Sequence, residues 1–353
     1  MKFQDAQGNS YIPTAYLTFD DVLLSPQASR FNSRLDPTID LRGFAGSIPI
    51  ISANMDTVTG LDMALCMENL GGLGIIHRFF KNIDEYERVL IDASAKLQQL
   101  AFSVGCGIKW IEFVEMLLAK IDTNNKPIVC LDVAHGHMQQ SIDTVVALRK
   151  NFPIVIVAGN IATAQAAHDL AHAGADAVKV GVGCGSVCST RIVTGHGVPQ
   201  LTAIMQVRDA LDSLDRDVAL IADGGIRNSG DIVKAIAAGA DAVMLGNLLA
   251  GCDETPGELY TTNSGAFKMY RGQSSAHFLR DIGKIGVAAE GVATEIKAKG
   301  SAVSVVNELV GGIRSGMTYS GCGSIKELQD HAIFIEMSHH GLIESTPHAL
   351  LRI

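Results

Sequence analysis

The sequence predicts an α/β fold, specifically a (β/α)8 barrel, and three observations predict it. Eight short apolar runs of β type alternate with seven helical patterns from residue 48 onward, the order of a barrel built from repeated strand–helix units. The runs are nearly continuous in apolar residues, as parallel strands covered on both faces should be. The 353 residues also leave room for a barrel of about 250 residues with additions. Hydrophobic residues make up 47%, sufficient for one large core.

In chain order, residues 1–46 mix short β-like pieces with turn residues and are expected to form an arm and plug at one end of the barrel. The predicted strands are Ile48–Asn54, Leu73–His77, Phe102–Gly105, Ile128–Ala134, Ile154–Gly159, Ala177–Val182, Ala219–Asp223 and Ala242–Leu245. The predicted helices between them are Gly60–Leu70, Ile83–Leu97, Ile111–Ile121, Met138–Lys150, Thr163–Ala173, Val198–Leu214 and Asn228–Ala238. Two units echo each other: His172-Ala173-Gly174-Ala175-Asp176-Ala177-Val178 matches Ala237-Ala238-Gly239-Ala240-Asp241-Ala242-Val243. Each closes a helix on glycine and enters a strand, an echo the repeating unit can produce without shared binding. A doubly wound open sheet is the alternative, but no G-x-G-x-x-G follows the first strand with an acidic residue ~20 positions on. Residues 250–300, rich in glycine, serine and charge, are expected to be a loop or lid with little structure. Ser304–Arg314 reads as an eighth barrel helix displaced by that loop, followed by a helix or strand pair. The whole chain is expected to be one domain without an inserted module.

A net charge of −9 argues against a nucleic-acid surface. No apolar run reaches the roughly 18 residues needed to span a bilayer. The first residues, MKFQDAQGNSYIP, show no apolar signal region, and the expected location is the cytoplasm. The seven cysteines, at 66, 106, 130, 184, 188, 252 and 322, are odd in number and scattered. Four lie in or beside apolar runs, the pattern of buried thiols in a reducing compartment. Cys184 and Cys188 lack a second Cys or His pair at zinc-site spacing. His135 and His137 form an H-x-H without an evident third ligand and are expected to be ordinary loop histidines.

Active-site residues of such barrels lie at the carboxyl ends of the strands. The most informative end is GADAVKVGVGCGSVCSTRIVTGHGVPQ, residues 174–200, where a strand feeds a glycine-rich loop that presents Cys188 beside Ser189 and Thr190. That is how a parallel α/β fold displays a nucleophile. Ser186 and the loop amides suit an anion such as phosphate. Barrels commonly bind phosphate in the loops after strands seven and eight, here ADGGIR and MLGNLLAG.

GVGCGSVCST followed by RIVTGHGVPQ resembles the catalytic loop of the IMP dehydrogenase and GMP reductase family. TFDDVLL, SANMDTVT, GGLGIIHR, DVAHGH, AGNIAT, ADGGIR, MLGNLLAG, YRGQSS, AAEG and GGIRSGMTYSGCG resemble further family blocks in the family's order. The usual loop has proline where this chain has Cys184, and often threonine at Ser189. The resemblance implies a (β/α)8 barrel in which a cysteine attacks C2 of a purine nucleotide. It implies GMP reductase more than IMP dehydrogenase: His77 to Phe102 leaves no room for the usual regulatory insert, and Arg280 is followed by aspartate rather than completing the water-activating Arg-Tyr pair. The flap is short, and QSS resembles the reductase block, whereas Tyr270-Arg271-Gly272 and the terminal block lean toward the dehydrogenase. A short IMP dehydrogenase and a catalytically idle nucleotide sensor are the alternatives.

By this resemblance Cys188 is the nucleophile, and Thr190 and Glu290 relay a proton to leaving ammonia. Asp223 holds the ribose hydroxyls; Ser186, Gly225, Gly246, Asn247 and Tyr270 surround the phosphate; Gly272, Gln273 and Ser274 face the base; Gly224 and Gly291 are further implied substrate-binding positions. Gln273 replaces a usual methionine. Arg78, Asp132, Val133, Ala134, Val182 and Gly183 are implied for the cofactor, NADPH, with Arg78 meeting its 2′-phosphate. Carbonyls of Gly183, Gly185 and Cys188 match the family's potassium site. GMP or IMP is the implied nucleotide partner, and a homotetramer the implied assembly.

Overall fold

The computed structural model describes residues 2–40, 46–284 and 286–347. Eight parallel strands form the central sheet: β1 Ile50–Ser52, β2 Leu73–Gly74, β3 Ala101–Val104, β4 Ile128–Asp132, β5 Val155–Ile161, β6 Ala177–Val180, β7 Ala219–Asp223 and β8 Ala242–Leu245. β8 pairs with β1. The seam between β2 and β3 is closed where Ile76 pairs with Phe102 and exchanges bonds of 2.9 and 3.0 Å with Ala101 and Ser103. The predicted (β/α)8 barrel is therefore present, every strand at its predicted place.

The helices are α1 Leu61–Asn69, α2 Ile83–Lys96, α3 Ile108–Leu118, α4 Gln139–Asn151, α5 Ala164–Ala173, α6 Gln200–Asp212, α7 Ser229–Ala237 and α8 Ala302–Tyr319. Between β2 and β3 the chain forms α2 alone. Several starts follow cap chemistry: the side chains of Asn82, Thr163 and Asn228 accept from Glu85, Ala166 and Asp231 amides. α3 begins three residues before the predicted Ile111, directly after Gly107, whose amide donates to Thr144 Oγ1. α8 is the displaced eighth helix, packed against α7 and α1 and so completing the ring.

The echoed Gly-Ala-Asp-Ala-Val segments do the same structural work twice. Gly174 and Gly239 both adopt φ +113, where a side chain would be strained. Asp176 then bridges Arg149 and caps the amide of Ile156, while Asp241 bridges Arg208 and caps that of Leu220. Each aspartate ties a helix to the start of a neighbouring strand.

Residues 250–300 differ from expectation. Instead of a loop with little structure, Tyr260–Thr262, Gly265–Arg271 and Ala293–Lys297 build a three-stranded antiparallel sheet, with the helix Ala276–Asp281 between the last two. Its strands are largely solvent-facing, so they carry charge and glycine rather than the apolar run that marks a buried strand. The arm forms a second small sheet, in which Lys2–Gln4 and Val22–Leu24 flank the C-terminal strand Ile333–Glu336. The turn Phe19–Asp21 reaches the carboxyl end of the barrel, where Asp20 pairs with Arg227.

The seam and the strand ends yield two predictions. Phe102 is fully buried at the closing pair, so Phe102→Ala should lower unfolding free energy by about 3–5 kcal/mol in a denaturant titration. His77 is buried, stacks on Phe80 at 4.4 Å, and accepts the Phe79 amide at Nδ1. Burial pushes its pKa down to about 4, against the opposing pull of Asp56. Its folded pKa lies below the unfolded value of about 6.5, so its stabilisation is complete above pH 6.5 and lost as pH falls toward 4. In His77→Gln the loss of stability between pH 7 and 4.5 should shrink by about 2.5 kcal/mol.

Candidate active site

The carboxyl ends of the eight strands open into one cavity of about 1010 Å³, ample for a nucleotide and part of a second ligand. The loop after β6 forms one wall. Gly181 starts it at φ +152, and a Cβ there would lie 1.8 Å from the Asp223 carbonyl, so only glycine lets the loop cross the end of β7 this closely. Cys184, at the position of the family's proline, stiffens the loop by another route. Its thiol is turned inward and donates to Gln200 Oε1 and to the Asp223 carbonyl, both at 3.3 Å. Gln200 Nε2 in turn holds the carbonyls of Val180 and Asp223. Burial, then the Asp223 charge, push the Cys184 pKa up to about 12, so this thiol stays protonated.

Cys188 is the exposed cysteine. Its amide donates to the Gly185 carbonyl at 3.0 Å. The Cys188 thiol donates to Thr190 Oγ1 at 3.1 Å, and the Thr190 hydroxyl donates to Glu290 Oε2 at 2.9 Å. Glu290 comes from the flap, the region 250–300 with its small sheet and helix, one hundred positions beyond Thr190 in sequence. It is delivered by backbone: the Ser189 amide donates to the Glu290 carbonyl, the Val292 amide to the Val187 carbonyl, and Cys188 faces Gly291. The arrangement is a continuous path for a proton from thiol to carboxylate.

The remaining predicted residues converge on the same cavity with one exception. Ser186, Asp223, Gly224, Gly225, Gly246, Asn247, Tyr270, Gly272, Gln273 and Ser274 all line it. Ser186 Oγ and the Tyr270 hydroxyl lie 3.2 Å apart, closing the end bounded by the loops after β7 and β8. Gln273 Nε2 donates to Asp56 Oδ1, and Asp56 is held by Arg271. Gly291 does not line the cavity; it packs against Val187, Gly272 and Ser275 as part of the backbone pairing.

Arg78, Asp132, Val133, Ala134, Val182 and Gly183 line the other side. Arg78 donates to the Asp132 carbonyl and stacks over Phe79 at 4.4 Å and Trp110 at 5.5 Å. Lys81 and Lys109 line the same cavity. The implied potassium ligands are a partial set. The Gly185 carbonyl already accepts the Cys188 amide, and the Arg191 guanidinium lies against Gly183 and donates to the Val182 carbonyl. Three carbonyls of one loop do not by themselves enclose a potassium ion. His137 is engaged with Asp169 at 2.8 Å, an ordinary hydrogen-bonded loop histidine.

Three side chains at the cavity floor were not singled out from sequence as site residues: Lys179, Asn160 and Gln200. Lys179 carried a usable signal, since a lysine inside the apolar run Ala177–Val182 is seldom buried without partners. Its ammonium bonds Asp223 Oδ2 at 2.8 Å, Asp132 Oδ1 at 3.1 Å and Asn160 Oδ1. Burial opposes the Asp132 charge, but Lys179 and then Arg78 outweigh it and hold that carboxyl below its usual range. Among the described residues no helix is long and apolar enough to cross a membrane.

Comparison with known proteins agrees with this geometry. A family model described as IMP dehydrogenase / GMP reductase domain matches residues 16–348. An inosine-5′-monophosphate dehydrogenase of Nitrosopumilus maritimus (strain SCM1) is 34% identical over 470 residues, covering 95% of this chain and 98% of that protein. One of Borreliella burgdorferi is 36% identical over 405 residues, covering 96% and 98%. GMP reductase 2 of Bos taurus is 38% identical over 336 residues, covering 91% and 94%. With its barrel, its cysteine loop and the matched span of nearly the whole sequence, the chain belongs to the IMP dehydrogenase/GMP reductase family of oxidoreductases.

Proposed function

We propose that the chain is a GMP reductase, converting GMP to IMP and ammonia with NADPH through a covalent bond from Cys188 to purine C2. The observation that carries this reading is the Cys188–Thr190–Glu290 hydrogen-bonded line, together with what surrounds it. Residues 271–292 contain no tyrosine. Arg271 is engaged with Asp56 and Asp281, and Arg280 is exposed on its helix. The site thus offers a proton route suited to a leaving amine, and the flap helix, AHFLRD, carries no arginine–tyrosine pair to activate water.

In this mechanism the Cys188 sulfur, having passed its proton to the Thr190–Glu290 line, adds to C2 of the purine. Glu290 returns a proton through Thr190 to the C2 amine, the C–N bond breaks, ammonia leaves, and C2 remains bonded to sulfur. The cofactor's contribution is a hydride for C2. With that hydride at C2, Cys188 would keep the electron pair of the C–S bond and leave as thiolate, freeing IMP. Asp223 accepts the ribose hydroxyls, since a carboxylate can take two hydrogen bonds at once. Ser186, Tyr270 and the amides of Gly224, Gly225, Gly246 and Asn247 receive the phosphate. Arg78, Lys81 and Lys109 favour a cofactor bearing a 2′-phosphate.

A short IMP dehydrogenase is the second reading. The Borreliella burgdorferi protein carries the dehydrogenase name and is 98% covered within 405 aligned residues, so the compact length of this chain does not separate the two activities.

Absorbance of the reduced nicotinamide distinguishes them. GMP with NADPH should lose absorbance and release ammonia; a rise with IMP and NAD, forming xanthosine monophosphate, would establish the dehydrogenase instead. No turnover in either mixture would leave a nucleotide sensor. Cys188→Ala should abolish turnover while GMP still binds, and retained activity would refute the covalent route. Glu290→Gln should slow ammonia release by on the order of a hundredfold, far more than hydride transfer to the bound intermediate. Equal slowing of both steps would remove the relay assignment.

A further inference from the structure

One buried cation lies under the cavity floor and serves two carboxylates that both face the cavity. The Lys179 side chain is 3% exposed, whereas Asp132 and Asp223 keep 17% and 20%. The carboxylates, far more than the ammonium, are therefore open to a ligand. The three donors of the ammonium have three acceptors: Asp223 Oδ2, Asp132 Oδ1 and Asn160 Oδ1. Asn160 Nδ2 also donates to Asp223 Oδ2, at 2.9 Å. Both bonds to the Asp223 carboxylate thus fall on one oxygen, which leaves Oδ1 for hydroxyl donors in the cavity.

The route of the lysine is built into the barrel. Lys179 sits on β6 in register with Gly159 of β5 and Ile221 of β7. It crosses over β5 to reach Asp132 at the end of β4. A Cβ on Gly159 would lie 2.6 Å from Lys179 Cβ and 2.8 Å from its carbonyl oxygen, so glycine is needed for this crossing.

We propose that Lys179 is a positioning residue for both halves of the cavity at once, its ammonium offsetting the mutual repulsion of the Asp223 and Asp132 carboxylates and fixing both as hydrogen-bond acceptors. Two carboxylates bound to one ammonium lie within about 6 Å of each other, and without the cation they repel in a poorly solvated site. Such a pair shares a proton, and the carboxylate that takes it presents a donor where the ligand also presents one. Burial works against the Lys179 charge, but Asp223 and then Asp132 outweigh it and hold its pKa above the usual lysine range. The other groups facing the cluster are the Cys130 thiol on β4, the Cys184 thiol against Asp223, the Tyr270 hydroxyl within reach of the Asp223 charge, and Arg78 beside Asp132. Burial raises both thiol pKa values to about 12, so neither ionises near neutrality.

The inference rests on the family-level nucleotide site and applies whether GMP or IMP is the physiological substrate. The test is calorimetric affinity for both GMP and IMP, each variant taken as a ratio to wild type at every pH. Lys179→Met should weaken nucleotide binding at least tenfold at pH 6.5, with the deficit shrinking at least threefold by pH 8.5 as both carboxylates ionise. Adding Asp132→Asn removes the repelling charge and should bring binding to within threefold of Asp132→Asn alone, with no residual pH dependence. The double variant keeps the wild-type net charge of the cluster, so it also reads the effect of Lys179 should Lys179→Met fold poorly by itself. A deficit that is the same at all pH values and persists in the Asp132→Asn background would overturn the inference and reduce Lys179 to packing. Near-wild-type affinity in Lys179→Met would overturn it equally.

Discussion

A short antiparallel pairing between the loop after β6 and the flap is the contact on which the candidate site depends. The Ser189 amide donates to the Glu290 carbonyl and the Val292 amide to the Val187 carbonyl, each at 2.9 Å. Between them Cys188 faces Gly291. The Glu290 amide is itself held by the Ser274 carbonyl at 2.9 Å, so the acid is fixed from both sides by main chain. The carboxylate reaches Thr190 because the strand register places it there. The hydrogen-bonded line from Cys188 through Thr190 to Glu290 therefore exists only while the flap is paired with that loop.

The docking surface on the barrel side is stiff for reasons that lie one layer deeper. Cys184 and Gln200 both bond the Asp223 carbonyl, tying the loop to the end of β7. Asp223 thus meets the loop with its backbone and Lys179 with its side chain. On the flap side, Arg271 joins Asp56 of the barrel to Asp281 of the flap helix. Buried ion pairs of this kind carry a desolvation cost, and removing one partner leaves an uncompensated charge. Such clusters are better understood as devices that fix geometry than as sources of stability.

The electrostatics also reconcile an acidic chain with anionic ligands. The chain as a whole carries a net charge of −9. The cavity is lined by Arg78, Lys81, Lys109 and Lys284 as well as by loop amides. Local field and backbone donors, rather than overall charge, decide what such a cavity accepts.

Much of this was legible in the sequence. Strands buried on both faces leave a nearly unbroken apolar run, and all eight were placed from that signal. Glycine loops and polar residues at the strand ends located the cavity, and the motif around Cys188 indicated its family. The flap sheet was not legible, because solvent-facing antiparallel strands such as Ala293–Lys297 lack an apolar run. The role of Cys184 was not legible either: only packing against Gln200 and Asp223 makes a thiol the stiffener of a loop that usually holds proline. The sequence by itself determined the barrel, its order of elements and the chemical types available at its mouth, since these follow from local periodicity and composition. That Glu290 meets Thr190 was implied only by the family resemblance and has its physical cause in tertiary structure, which alone decided that one lysine serves both Asp132 and Asp223. Those contacts join residues 100, 47 and 44 positions apart, and no local pattern encodes such a meeting.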